Sequence, residues 1–107
     1  MQHLLFICGR NRRRSPTAEE LFSTWPDVET ASAGISSDAD VPVTPELLAW
    51  SDLVFVMEQR QREKLNRAFS AELRGKRVVC LNIADDYDYQ DPALIEMLLA
   101  RVSPHLK

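Results

Sequence analysis

The chain has 107 residues, 45% hydrophobic and 27% charged, with a formal net charge of −3. These values suit one globular domain over residues 1–107, leave no room for a second ordinary one, and give no overall charge that advertises nucleic acid or an anionic membrane. Two cysteines, Cys8 and Cys80, are too few for a disulfide scaffold, and both sit in apolar stretches, so a reduced, cytoplasmic setting is the simpler reading. The N-terminus places its positive charge after a short apolar run, which is not the order of a signal peptide, and no stretch is long enough to span a bilayer.

The first predicted strand is His3–Ile7 (HLLFI), and a helix follows over Ser15–Phe22, with Pro16 near its start and acids in its first turns. A weaker strand is expected at Val28–Ser32 and a helix at Thr44–Trp50, with Thr44 as the cap and Pro45 at the first helical position. Leu53–Met57 (LVFVM) reads as a third strand, and Gln59–Phe69 as a polar helix with Leu65 and Phe69 four apart. Gly75 and Lys76 make the turn into a fourth strand, Arg77–Leu81. Asp91–Val102 is a helix with Leu94, Ile95, Leu98, Leu99 and Val102 at helical spacing. Strands one, three and four are almost continuously apolar, which predicts burial on both faces in a parallel sheet. Strand and helix alternate four times, so the fold class is α/β, a layered sandwich with right-handed crossovers. Ligands in such folds bind at the carboxyl ends of strands, and the first such end is Ile7–Cys8.

Four arginines fall in the five positions 10–14, directly after Cys8. The segment Cys8–Ser15 (CGRNRRRS) leaves a buried strand and enters a helix. Backbone N–H groups in such a loop converge, and with the helix N-terminus behind them they form an anion cradle. A sulfur at its base is a nucleophile whose thiolate those donors stabilise. Arg14 is placed to bind two phosphate oxygens side by side, and Ser15 to donate its hydroxyl to the sulfur. Gly9 and Asn11 both tolerate left-handed backbone. The backbone of Gly9, Arg10, Asn11, Arg12, Arg13 and Arg14 is thus a candidate phosphate-binding loop, and the chemistry it suits is phosphoryl transfer through a cysteinyl-phosphate. A buried strand cysteine is otherwise a small apolar residue, and it is the strand–loop–helix context that favours the functional reading.

The stretch LLFICGRNRRRSPTAEELF resembles the phosphate-binding loop of the low-molecular-weight protein tyrosine phosphatases, whose pattern is C-x5-R-S with Asn three residues after the Cys, followed by P-T-A-E. The resemblance extends to Ser32–Gly34 (SAG), Asp52–Met57 (DLVFVM) and the acidic ADDY after the last strand, and so covers nearly the whole chain. It implies a three-layer sandwich with a four-stranded parallel sheet and helices on both faces. It also implies Cys8 as nucleophile, Arg14 on the phosphoryl oxygens, Ser15 supporting the thiolate, Asn11 holding the loop, and no metal or organic cofactor. The family's general acid is the Asp of Asp-Pro-Tyr. Aligned from the strand end, Asp85 takes that position, Asp86 replaces the proline and Tyr87 matches the tyrosine. Asp85 is preferred to Asp86, and Asp91 ranks third because a helix cap explains it better.

The chain departs from the family in three respects. Arg13 stands where many members carry a second loop cysteine, so disulfide protection of Cys8 is absent, and the further cysteines of the family's arsenate reductases are missing too. Cys80 reads as core. The stretch Ile35–Val43 is compact and has no aromatic residue, so the wall of the substrate cleft is either left to Tyr87 and Tyr89 or missing. The resemblance implies a phosphorylated protein or small phosphorylated molecule as partner; it involves no membrane, does not favour nucleic acid and specifies no oligomeric state. The competing reading is a non-catalytic module that binds a phosphoanion or nucleic-acid end in the same loop. Arg10, Arg12 and Arg13 have two readings: recruitment of a substrate with more than one negative group, or pairing with Glu19, Glu20 or the Asp85–Asp88 cluster. The basic run Gln59–Arg67 reads as amphipathic helix surface, and Trp25, Trp50 and Phe69 as packing residues.

Overall fold

In a computed structural model, which describes residues 1–106, four parallel strands form one sheet in the order β2-β1-β3-β4. The strands are β1 (Gln2–Cys8), β2 (Val28–Gly34), β3 (Leu53–Val56) and β4 (Arg77–Cys80). Between and after them run α1 (Arg14–Ser23), α2 (Pro45–Trp50), α3 (Gln59–Ala68) and α4 (Pro92–Val102). A 3₁₀ turn, Ser103–His105, follows α4 and was not foreseen.

The period of two in β1 divides the core into two halves. Leu4, Phe6 and Cys8 share one face with Phe55, against Ala18 and Phe22 of α1 and Leu94, Leu98 and Val102 of α4. Leu5 and Ile7 share the other with Val54 and Val56, against Leu48 of α2 and Leu65 of α3. Phe6 stacks between Phe22 and Phe55 with ring centroids 5.8 and 5.2 Å away. All three rings are fully buried, each contributing roughly 1.5–3 kcal/mol relative to an exposed ring.

Two expectations change. The second strand runs two residues further than Ser32, because Cys8 pairs with Gly34 at the end of the β1–β2 ladder. β4 is an edge strand, paired only with β3, and it is half-buried instead of enclosed on both faces. Its apolar run serves each core from one edge, with Val79 on one side and Val78 on the other. Cys80 is accordingly half-buried, not deep core, and its thiol lies 3.3 Å from Asn82 Oδ1.

The caps follow the sequence. Thr44 Oγ1 accepts from the Leu47 N–H at 3.2 Å, and Asp91 Oδ1 from the Ala93 N–H at 2.9 Å. α3 begins with a capping box in which Gln61 Oε1 accepts from the Glu58 N–H at 3.0 Å. α1 is the exception. It starts at Arg14, so Glu19 and Glu20 fall beyond its first turn, and no side chain caps it. The chain passes from β1 to β2 on one side and reaches β3 on the other, so the carboxyl ends of β1 and β3 flank the switch point of the sheet.

Candidate active site

At that switch point Cys8 ends β1 with its side chain buried. Its sulfur lies 3.2 Å from the Asn11 N–H, which donates to it, and 3.0 Å from Ser15 Oγ. Asn11 has φ of 60°, the left-handed conformation its short polar side chain tolerates. Its Oδ1 accepts from Ser15 Oγ at 2.9 Å. The single hydroxyl proton of Ser15 thus has three competing acceptors, Asn11 Oδ1, the sulfur and, at 3.4 Å, Ala33 O, and an ionised sulfur would draw it most strongly. Gly9 does not adopt a positive φ, so the left-handed turn of the loop rests on Asn11 alone.

Among the described residues the N–H groups of Gly9, Arg10, Arg12 and Arg13 find no acceptor within hydrogen-bond range. With the uncapped start of α1 they leave unengaged donors on residues that line the same cleft as the sulfur, the setting of an anion site. Gly34 explains how this loop fits against β2. A Cβ there would stand 2.6 Å from Gly9 O, 2.6 Å from Ala39 Cβ and 2.9 Å from the carbonyl carbon of Arg10. The loop backbone crosses Gly34 where no other residue leaves room, and Ser36 and Asp40 donate N–H bonds to the carbonyls of Gly9 and Arg10.

Arg14 is 3% exposed. Its Nη1 donates to Glu58 Oε1 at 2.6 Å and to Ile83 O at 2.7 Å, which fixes one end of the guanidinium. Nε and Nη2 remain for a ligand, and Asp85 Oδ1 lies 3.6 Å from Nε. Glu58 also pairs with Arg60 at 3.2 Å. Burial pushes the Glu58 carboxyl up, but Arg14 and then Arg60 outweigh it, and the net shift is downward. Sequence reasoning passed over Glu58; its signal was a carboxylate two residues past the end of a buried strand.

The cleft above the sulfur encloses about 660 Å³ and includes Cys8, Gly9, Arg10, Arg12, Arg13, Arg14 and Asp85 in its lining. Among the described residues Asp85 is therefore the one loop aspartate in the cleft. Asp91 caps α4, and Asp86 does not line the cleft. The wall role expected of Tyr87 has no counterpart in its placement: its ring packs on the core beside Met97, with the hydroxyl 3.9 Å from Met97 Sδ. Tyr89 is drawn instead to Glu20, to which its hydroxyl donates. Thr17 ties the two loops together, donating to Arg13 O at 2.6 Å and accepting from the Gln90 N–H at 3.0 Å.

Arg10 and Arg12 pair with Asp38 and Asp40, each at 3.4 Å, and not with the acids proposed from the sequence. Those partners lie in the compact loop after β2. α3 also contributes Arg60, Gln61, Lys64 and Arg67 to the lining. The basic run read as helix surface is thus one wall of the cleft, a function that its helical spacing alone does not reveal. His3 stacks on Trp50 at 4.6 Å, and Trp25 packs on Phe22 at 5.1 Å, as packing residues do. No helix among the described residues is long and apolar enough to cross a membrane.

No protein-family model matches the chain, and no curated protein matches it. Solved structures do. The chain is similar to the tyrosine phosphatase Wzb from Escherichia coli K30, solved with phosphate, at 24% identity over 97% of this chain and 95% of that one, with a TM-score of 0.78. It is similar to a low-molecular-weight phosphotyrosine phosphatase from Vibrio cholerae O395 at 18% identity, over 98% and 96%, with a TM-score of 0.74. The YwlE arginine phosphatase from Geobacillus stearothermophilus matches at 20% identity, over 98% and 95%, with a TM-score of 0.70. At these identities the likeness is one of fold: a four-stranded parallel sheet with helices on both faces, as in the low-molecular-weight tyrosine phosphatases.

Proposed function

We propose that the chain is a cysteine-dependent phosphatase that hydrolyses a phosphate monoester through a cysteinyl-phosphate. The observation that carries the reading is one cleft holding a sulfur among backbone donors, a buried anchored Arg14, and a carboxylate, Asp85, 3.6 Å from that arginine. The Cys8 thiolate attacks phosphorus in line with the leaving oxygen. The N–H groups of residues 9–14 and the Nε and Nη2 of Arg14 hold the equatorial oxygens as charge builds on them. Asp85 gives its proton to the leaving oxygen as the P–O bond breaks and the S–P bond forms. It then takes a proton from water, whose oxygen attacks phosphorus and releases phosphate and the thiolate. Every step uses residues of this chain.

Two free cysteines suit a reducing compartment, and we place the protein in the cytoplasm. The substrate is a phosphorylated protein or a small phosphorylated molecule. Proteins of this fold are named for tyrosine phosphate and for arginine phosphate, so the fold selects the chemistry and leaves the organic part of the substrate to the cleft wall. Hydrolysis of p-nitrophenyl phosphate across pH, by the wild type and Cys8→Ser, tests the reading. Turnover in the wild type and none in the variant is expected. Phosphate binding without turnover in folded wild type would replace it with the anion-binding module.

A further inference from the structure

We propose that the cleft contains a second anion subsite, built by Lys64 and Arg67 of α3 together with Arg13, and that it selects a small phosphomonoester bearing a second phosphate group. This rests on the cradle described above for the first phosphate and names the substrate class.

The charge balance is the first support. Seven of the chain's thirteen lysines and arginines line the cleft, against one carboxylate, Asp85. The lining therefore carries +6, and the rest of a chain of net −3 carries −9. Such segregation sets a local field that the overall charge conceals.

The second support is which of these cations are already matched. Arg10 pairs with Asp38, Arg12 with Asp40, and Arg14 and Arg60 share Glu58. Among the described residues, Arg13, Lys64 and Arg67 have no carboxylate within 4.0 Å. Lys64 and Arg67 lie three apart on one helix, so they share a face and are offset by about 4.5 Å along its axis. A lone phosphate monoester is already matched by the loop N–H groups and Arg14. Three further unmatched cations in the same cleft call for a further anion.

The rest of the lining sets the size and type of the ligand. A cleft of about 660 Å³ falls in the range of small-molecule sites, roughly 300–1,000 Å³. Among the described residues Ile35 is its only large apolar residue, and no aromatic ring lines it to stack on a phenol or a nucleobase. A compact polyol or sugar-like skeleton carrying two phosphates satisfies both the charge and the lack of a stacking wall.

The test compares fructose 6-phosphate with fructose 1,6-bisphosphate, which differ by one phosphate. Their dissociation constants are measured by calorimetry on Cys8→Ser, which binds without turnover. The bisphosphate is expected to bind at least about tenfold tighter, on the scale of charge-assisted contacts. Adding Lys64→Gln and Arg67→Gln should reduce that ratio to within about twofold. Adding Arg74→Gln and Arg77→Gln instead, which removes the same charge outside the cleft, should preserve it. Equal affinities in the parent, or a ratio that survives the Lys64 and Arg67 changes in a protein with unaltered melting, would overturn the proposal. So would a phosphopeptide flanked by glutamates that gains from Lys64 and Arg67 when the sugar bisphosphate does not. Turnover of p-nitrophenyl phosphate by the wild type separates the two readings: turnover with a ratio of one sinks only the subsite, and a preserved ratio with no turnover of any phosphate sinks only the phosphatase.

Discussion

Replacing Gly34 by alanine places a methyl group 2.6 Å from Gly9 O and 2.6 Å from Ala39 Cβ. Nonbonded carbons at their optimum stand about 3.5–4.0 Å apart, so the loop after β1 has to retreat by roughly 0.9–1.4 Å. Gly9 O and the Arg10 carbonyl carbon are backbone atoms and cannot rotate away. Overpacking of this kind costs about 1–3 kcal/mol. The larger effect falls on catalysis, because on the proposed mechanism the atoms displaced are those that hold the phosphoryl group, and a shift near 1 Å is worth on the order of 10²-fold in rate. The urea midpoint of Gly34→Ala should therefore drop, with kcat/KM for p-nitrophenyl phosphate down about 10²-fold. Gly9→Ala is the control for stability. The nearest atom to its added methyl is Ser36 Oγ at 3.9 Å, and its φ is not positive, so its midpoint should stay close to the wild type's. A Gly34→Ala protein with wild-type midpoint and rate would refute the close-crossing argument.

Two further predictions concern the carboxylates. Asp85→Asn should lower kcat about 10²–10⁴-fold, as expected for removal of a general acid, while Asp86→Asn stays near wild type; the reverse order would move the acid to Asp86. Glu58 is held below its ordinary value of 4.5, since Arg14 and Arg60 outweigh burial. A group depressed in the folded state contributes its stability above the unfolded value and loses it as pH falls through the folded one. Glu58→Gln should thus have a lower urea midpoint than the wild type at pH 7, and the gap should close as both are titrated below about 4.5. A gap of equal size at both ends would show that Glu58 acts through shape and not charge.

The phosphate loop was legible because its function is local. Cys8, Asn11, Arg14 and Ser15 lie within eight residues, and the bonds among Cys8, Asn11 and Ser15 are all made inside that stretch. The strands and helices were legible for the same reason: burial on two faces and capping are read from neighbours in sequence. What stayed hidden depends on distant segments. Arg10 and Arg12 find their acids 28 residues on, in each case in a loop that looked merely short. Tyr87 and Tyr89 have the composition of a cleft wall, but Met97 and Glu20 hold them elsewhere. The basic residues of α3 have the spacing of any solvated helix, and only the packing of α3 on β3 and β4 brings that face to the cleft. Burial on both faces of β4 failed as an expectation because an apolar run cannot report whether a strand has a neighbour on each side.

The placement of Asp85 follows from how its loop is held at both ends. The segment after β4 has no regular structure, and Asp85 itself is 56% exposed at its side chain. Left-handed residues bound it, Asn82 with φ of 54° and Gln90 with φ of 63°. At the first end Arg101 Nη1 donates to the carbonyls of Leu81 and Asn82, both at 2.8 Å, and Ile83 O receives Arg14. At the other end the Gln90 N–H reaches Thr17, whose hydroxyl bonds the loop carbonyl of Arg13. Arg14 is thus bonded directly to one end of the segment that carries Asp85, and Arg13 is linked to the other through Thr17. Those bonds fix the segment to the loop after β1 on both sides of Asp85, which is how a residue on an irregular, exposed stretch is held beside Arg14.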